Sequence, residues 1–223
     1  MTFGVAAVSM RAYFSADYLW GAKHFAALAR SIEDAHDGPP SFSVRHRAYV
    51  TNSILSSVAF LEALINEFFD DAEDGHLVYL KNLTDEQREK VAVLWKLPSI
   101  ERASILDKFQ IALVAVGAAQ FDKGAAPFQD AVALVKLRNQ LVHARVETRD
   151  SQDQGLSGAW QTRFPPNKLM HNSANPYIFD HLLGAGCADW AVRSAIGVAD
   201  SFLGRTGANA NYKMVDYQDD QCR

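Results

Sequence analysis

The sequence PFQDAVALVKLRNQLVHAR, from Pro127 to Arg145, has the periodicity of an amphipathic helix. Its apolar side chains fill one broad arc of a helical wheel: Phe128, Ala131, Val132, Leu134, Val135, Leu137, Leu141 and Val142. The polar side of the wheel carries Lys136, Gln140 and Gln129. Arg138 and Asn139 instead project into or beside the apolar arc, and His143 lies at its edge. Because a buried arginine costs several kcal/mol unless it is paired or faces a cleft, Arg138 needs a special explanation.

Helical patterns also fill most of the chain before this run. Long helices are predicted over residues 9–36 and 44–72, and shorter helices follow capping signals at Thr84 and Ser99. Pro127 is predicted in the first turn of the helix described above. Strand patterns are nearly absent. The sequence therefore predicts an all-α bundle of five to six helices with antiparallel neighbours.

The character of the chain changes after the bundle, which is assigned to residues 9–146. Residues 147–177 are rich in Gly, Pro, Asn and Ser and lack a sustained period, which predicts a long irregular loop with a short hairpin at 160–164. A closing helix is predicted over 178–204 and a frayed tail over 205–223. The chain has 223 residues, of which 48% are hydrophobic, so all four segments are assigned to one domain.

Arg138 and Asn139, followed by His143 after three further positions near the end of a helix, resemble the RNxxxH motif of the HEPN family. The segment 56–67 is similar to the second helix of HEPN-like proteins, and 188–192 is similar to their closing segment. HEPN proteins are small helical bundles, and many are metal-independent ribonucleases. The resemblance thus implies a helical bundle and an endoribonuclease that uses no metal or cofactor.

The resemblance also implies a homodimer, because in the family ribonucleases two motif helices face each other across a shared cleft. The rigid fork of Arg138 would bind the scissile phosphate and neutralise charge in the transition state. The imidazole of His143 would take a proton from the ribose 2′-hydroxyl or give one to the leaving oxygen. Asn139, one turn before His143, would orient the imidazole or bind the phosphate.

The formal net charge of −4 argues against a general binder of polyanions. RNA contacts must then come from a local basic patch, for which Lys136, Arg145 and Arg149 are the candidates. Glu147 and Asp150 dilute this patch.

A structural explanation of the motif is also open. Arg138 would then pair with a buried acid such as Glu62 or Glu67, and His143 would be a helix-end histidine favoured by the helix dipole. Both explanations hold together if Glu62 aims the guanidinium at the phosphate, a hypothesis that rests on the position of Glu62 within an apolar helical segment.

Arg145 departs from one subfamily of HEPN toxins. In toxins paired with a nucleotidyltransferase antitoxin, a tyrosine two residues after the histidine is adenylylated, and here that position is Arg145. The resemblance thus implies a toxin or phage-defence ribonuclease with RNA as substrate and, because of Arg145, a different, unidentified regulator or antitoxin. The alternative is a non-catalytic HEPN-like module for dimerisation, RNA binding or another interaction.

The two cysteines, Cys187 and Cys222, match no metal-ligand, redox or disulfide pattern. No secretion signal is recognisable, and apolar runs such as 48–61 are too short or too polar to cross a bilayer. These features predict a soluble, cytoplasmic protein that does not bind a membrane.

Overall fold

A computed structural model describes residues 10–146, 160, 162–209 and 211–213. This part of the chain is all-α, as predicted, and contains eight α-helices rather than five or six. Their bounds are α1 Ser15–Asp34, α2 Val44–Asp74, α3 Asp85–Trp95, α4 Pro98–Glu101, α5 Ile105–Ala115, α6 Phe128–Val142, α7 Ile178–Leu182 and α8 Ala185–Thr206. Two short 3-10 helices lie at Lys168–Met170 and Asn211–Lys213.

The 31-residue helix α2 is the centre of the bundle. It packs against α1, α8, α3, α6 and α5. Its apolar stripe is almost fully buried, which explains why this helix is so long and so apolar: Val50, Ile54, Val58, Leu61, Ile65, Phe68 and Phe69. By length and composition α2 could cross a membrane, but half of its most apolar window is buried within the protein, as is typical of a core helix in a soluble protein.

Helices α1 and α2 form an antiparallel pair, and a buried carboxylate joins them at each end: Glu67 at the start of α1, and Glu33, next to His46 of α2, at its end. At the start of α1, Glu67 accepts hydrogen bonds from the Ser15 N–H at 2.8 Å and from the Ser15 hydroxyl at 2.6 Å. The Tyr79 hydroxyl also donates to Glu67, at 2.7 Å. Glu67 thus caps a helix that has no side-chain cap of its own. The predicted start near Ser9 is wrong for the described residues, because the chain is not helical from residue 10 to Phe14.

The two predicted capping signals in the middle of the chain have different outcomes. The capping box of Thr84 and Gln87 is confirmed at the start of α3, with reciprocal bonds of 2.9 and 3.2 Å. The prediction for Ser99 is wrong, since Ser99 lies inside the four-residue helix α4. Ser104 caps α5 instead, by accepting a hydrogen bond from the Asp107 N–H at 3.2 Å.

Only the second half of the predicted loop lies within the described residues, and that half is packed onto the bundle. Trp160 is buried and, together with Phe164, contacts Trp190 of α8. Arg163 pairs with Asp130 of α6 at 2.7 Å. The predicted hairpin is wrong, because Trp160 and residues 162–164 form turns and a bend with no strand.

The predicted closing helix is divided into α7 and α8 at Leu183 and Gly184. The Glu33 carboxylate, at the end of α1, accepts a hydrogen bond from the Ala185 N–H at 2.7 Å and lies 3.0 Å from the His46 imidazole. Because Glu33 satisfies the N–H of the first residue of α8, the helix starts at Ala185. Helix α8 runs to Thr206, and Tyr212 beyond it is buried against Phe60. The prediction of a frayed tail is therefore wrong for its described residues, 205–209 and 211–213.

Candidate functional site

Helix α6 carries the motif and packs against both α2 and α8. Pro127 is its N-cap, one residue before the predicted first-turn position. Its inward face buries Phe128, Ala131, Leu134 and Leu137. These contacts fix the rotation of the helix, so they determine which motif residues reach the surface.

Asn139 and His143 line the same open groove of about 530 Å³ on the outer side of α6. Lys136 lies on the same wall, one turn before Asn139 and Gln140. The remaining lining is apolar: Leu106 of α5, with Val132 and Val135. The groove thus combines a cation, an amide and an imidazole over an apolar floor.

His143 is the C-cap of α6, and its backbone N–H donates to the Asn139 carbonyl at 3.0 Å. This bond ties the two motif residues together through the backbone. The imidazole is exposed and forms no hydrogen bond with any described residue.

Arg138 is half-buried, and no described residue forms an ion pair with its guanidinium. Its Nε atom is buried without a hydrogen-bond partner. The other half-buried arginines of the described chain each pair with an aspartate: Arg11, Arg47, Arg88 and Arg163. Among the described residues Arg138 is therefore a partly desolvated cation without an anion, a costly arrangement that a bound phosphate would relieve.

Neither of the acids considered as partners for Arg138 pairs with it. Glu67 is occupied by Ser15 and Tyr79. Glu62 is exposed and lines a different groove, of about 370 Å³, beside Phe14 and Tyr18.

The charge of Glu62 acts on Lys108 rather than on Arg138. Burial lowers the pKa of Lys108, and the negative charge of Glu62 partly offsets that effect. The predicted role of Glu62 in aiming Arg138 is thus not supported, since Glu62 faces the α1 side of α2.

The basic patch predicted for RNA binding is described only in part. Lys136 lines the groove and Arg145 is exposed just beyond the end of α6, whereas Arg149 lies outside the described residues. Two valines of the predicted apolar arc are also on the surface, Val132 with 43% and Val142 with 53% of its area exposed.

Gln140 is a groove residue that sequence reasoning placed on the solvated side of α6. It is half-buried, and its Oε1 atom is buried without a hydrogen-bond partner. A helical wheel could not show this, because the burial depends on how the rest of the chain packs around α6.

Comparison of the chain with protein-family models, with curated proteins and with solved structures found no match. The resemblance to HEPN proteins therefore rests on the motif and segment similarities alone. Within the described residues, no group of three or more His, Cys, Asp and Glu side chains could hold a metal ion.

Proposed function

We propose that the protein is a HEPN-like, metal-independent endoribonuclease with Arg138, Asn139 and His143 as its site. Cleavage proceeds by attack of the ribose 2′-hydroxyl on the adjacent phosphate. The enzyme acts in the cytoplasm as a toxin or phage-defence effector, and an unidentified regulator or antitoxin controls it.

The observation that carries this proposal is that no described residue forms an ion pair with the half-buried Arg138. A structural arginine at this position would meet a carboxylate, as Arg11, Arg47, Arg88 and Arg163 do. Since Arg138 meets no such carboxylate in the described part of the chain, a phosphate is its natural partner, because a guanidinium and a phosphate match in geometry and charge.

Each motif residue has a distinct role in the reaction. His143 accepts the proton of the 2′-hydroxyl, whose oxygen attacks phosphorus while the bond to the 5′-oxygen breaks and that oxygen takes a proton. Arg138 neutralises the charge that develops on the phosphoryl oxygens. Asn139 binds the phosphate or orients the imidazole. The products carry a 2′,3′-cyclic phosphate and a free 5′-hydroxyl.

We further propose a homodimer that forms through α6. Arg138 is not part of the groove lining that holds Asn139 and His143, so one subunit does not present all three side chains to one phosphate. The exposed Val132 and Val142 offer apolar surface for a second copy. Two α6 helices related by a twofold axis would place the arginine of one subunit beside the histidine of the other.

The test is cleavage of RNA by the purified protein in excess EDTA. We expect cleavage by the parent protein and a loss of at least about a hundredfold for Arg138→Ala and for His143→Ala, since each removes a general-catalysis or electrostatic contribution of that size. Arg45→Ala and His76→Ala are matched controls, because both residues are exposed and His76 also follows the end of a helix. Equal cleavage by parent and motif variants would refute the site.

The second candidate is a non-catalytic HEPN-like module for dimerisation, RNA binding or another interaction. The exposed His143 ring supports it, because no described side chain orients that imidazole within one subunit. The same assay separates the two candidates: the module binds RNA or a partner but produces no new RNA ends, even at stoichiometric protein.

A further inference from the structure

Helices α3 and α5 form a second open groove, of about 820 Å³, that is remote in sequence from the motif. The side formed by the end of α5 is apolar, with Val114, Ala115 and Val116, and Val93 and Leu94 extend this apolar lining onto α3. The first two turns of α3 add polar lining residues: Thr84, Glu86, Gln87, Glu89 and Lys90. Val93 is 58% and Val114 is 59% exposed, so both helices offer a large aliphatic side chain to a partner.

The groove is preformed at one end by a hydrogen bond between its two walls. The Gln87 side-chain amide donates to the Val116 carbonyl at 2.7 Å, which ties the start of α3 to the end of α5. The groove runs along α3, from Thr84 to Leu94, and on its other side only the end of α5 lines it. The 11 residues of α3 are about 16 Å long, at 1.5 Å per residue, which matches about three turns of a third helix.

The charge on the rim of this groove identifies the kind of partner. Lys90 is neutralised by Glu86 at 2.7 Å, whereas the exposed Glu89 forms no ion pair with a described residue. The α5 wall carries no charged side chain. Since the whole chain also has a net charge of −4, a basic partner is attracted both at long range and at Glu89.

We infer that the groove between α3 and α5 is a docking site for an amphipathic helix of a partner protein, whose apolar stripe covers Val93 and Val114 and whose basic residue pairs with Glu89. Helices dock in such grooves through apolar residues at i, i+3, i+4 and i+7. The site does not depend on the ribonuclease activity, so either proposal can fail without the other.

The probe is a fluorescently labelled helical peptide of about 15 residues, with leucine at i, i+3, i+4 and i+7 and lysine on its polar side. Its twin has glutamate in place of lysine. Fluorescence anisotropy with the full chain should show binding of the lysine peptide, and binding of the glutamate twin should be about tenfold weaker. In Glu89→Lys this preference should diminish or reverse.

Val93→Asp and Val114→Asp should each weaken binding of the lysine peptide by about tenfold, because a carboxylate must then be buried under the peptide. Because both valines are on the surface, neither variant should unfold, and thermal melting will check this. Two independent variants reduce the risk that misfolding of one is mistaken for a loss of binding. Val44→Asp is the control, since Val44 is 71% exposed on α2.

Three results would overturn the inference. The first is no binding of the lysine peptide to the parent protein at millimolar concentration. The second is equal binding by Val93→Asp, Val114→Asp and the parent. The third is loss of self-association in both aspartate variants without any peptide, which would show that a second copy of the chain occupies the groove.

Discussion

Arg138 and His143 lie five residues apart at the end of α6, but only His143 lines the groove between α5 and α6. Five residues correspond to a rotation of about 140° on a helix with 3.6 residues per turn. One helix therefore directs these side chains to different sides. The proposed reaction needs both at one phosphate, so it requires residues from two subunits.

A site shared between subunits predicts that two inactive variants restore each other. When Arg138→Ala and His143→Ala chains are co-expressed, about half of the dimers are mixed, and each mixed dimer has one site with both residues intact. We expect cleavage at about a quarter of the parent rate, measured on a labelled RNA. Activity no higher than that of the separate variants would contradict a site built from an arginine of one subunit and a histidine of the other.

The capping role of Ser104 can be measured against that of Ser99. Ser104→Ala should lower the free energy of unfolding by about 1 kcal/mol, because the Asp107 N–H loses its acceptor. Ser99→Ala should change it by less than about 0.5 kcal/mol, since Ser99 lies within α4 and its side chain caps no helix. Urea unfolding of both variants distinguishes the cap that the sequence suggested from the one observed.

Glu33 should make the fold sensitive to acid. Burial alone would raise the pKa of Glu33, but hydrogen bonds from His46 and from the Ala185 N–H outweigh burial and hold this pKa below its ordinary value. The ionised Glu33 therefore stabilises the fold fully above about pH 4.5, which is its pKa in the unfolded chain. This stabilisation is lost as the pH falls through the lower pKa that Glu33 has in the folded protein.

Glu33→Gln should cost about 2 kcal/mol at pH 7, because a charged acceptor of two hydrogen bonds becomes neutral. It should also flatten the fall of stability below about pH 4.5 relative to the parent. Urea unfolding between pH 7 and pH 3 measures both effects. Glu73→Gln, which changes an exposed acid of α2, serves as the control; an equal response of the two variants would refute the role of Glu33.

The break between α7 and α8 depends on the small size of Gly184. A Cβ atom there would lie 2.5 Å from the Asn167 Cα and 2.8 Å from Glu33 Oε1, so Gly184→Ala should cost about 1–3 kcal/mol. Gly204→Ala, in the exposed part of α8 with open space around it, should instead gain about 0.5–1 kcal/mol. Thermal melting of the two variants gives opposite shifts if this packing is correct.

Local sequence signals predicted the long helices and the capping box well, because apolar periodicity and short-range caps act within a few residues. The predicted segment 44–72 is nearly the whole of α2. The division at Gly184 could not be predicted in this way, since the carboxylate that begins α8 comes from Glu33, about 150 residues earlier in the chain. Likewise, the carboxylate that accepts the first N–H of α1 comes from Glu67, near the C-terminal end of α2.

The positions of the candidate residues on α6 were predictable, but their surroundings were not. The wheel placed Arg138 within the apolar arc and His143 at its edge; in the structure Arg138 is half-buried and His143 is exposed. The wheel could not show that Glu62 lines a groove beside α1, or that Gln140 is half-buried, because both depend on tertiary packing. That no described acid pairs with Arg138 is likewise a tertiary property.

The proposed cleavage of RNA by Arg138 and His143 through its 2′-hydroxyl is tested most directly with two labelled RNAs, one unmodified and one carrying 2′-O-methyl groups. Each RNA is incubated with the protein in EDTA, and the ends of the products are analysed. We expect products with 2′,3′-cyclic phosphate and 5′-hydroxyl ends from the unmodified RNA and no products from the methylated RNA. Absence of cleavage, or equal cleavage of both RNAs, would contradict the proposed reaction.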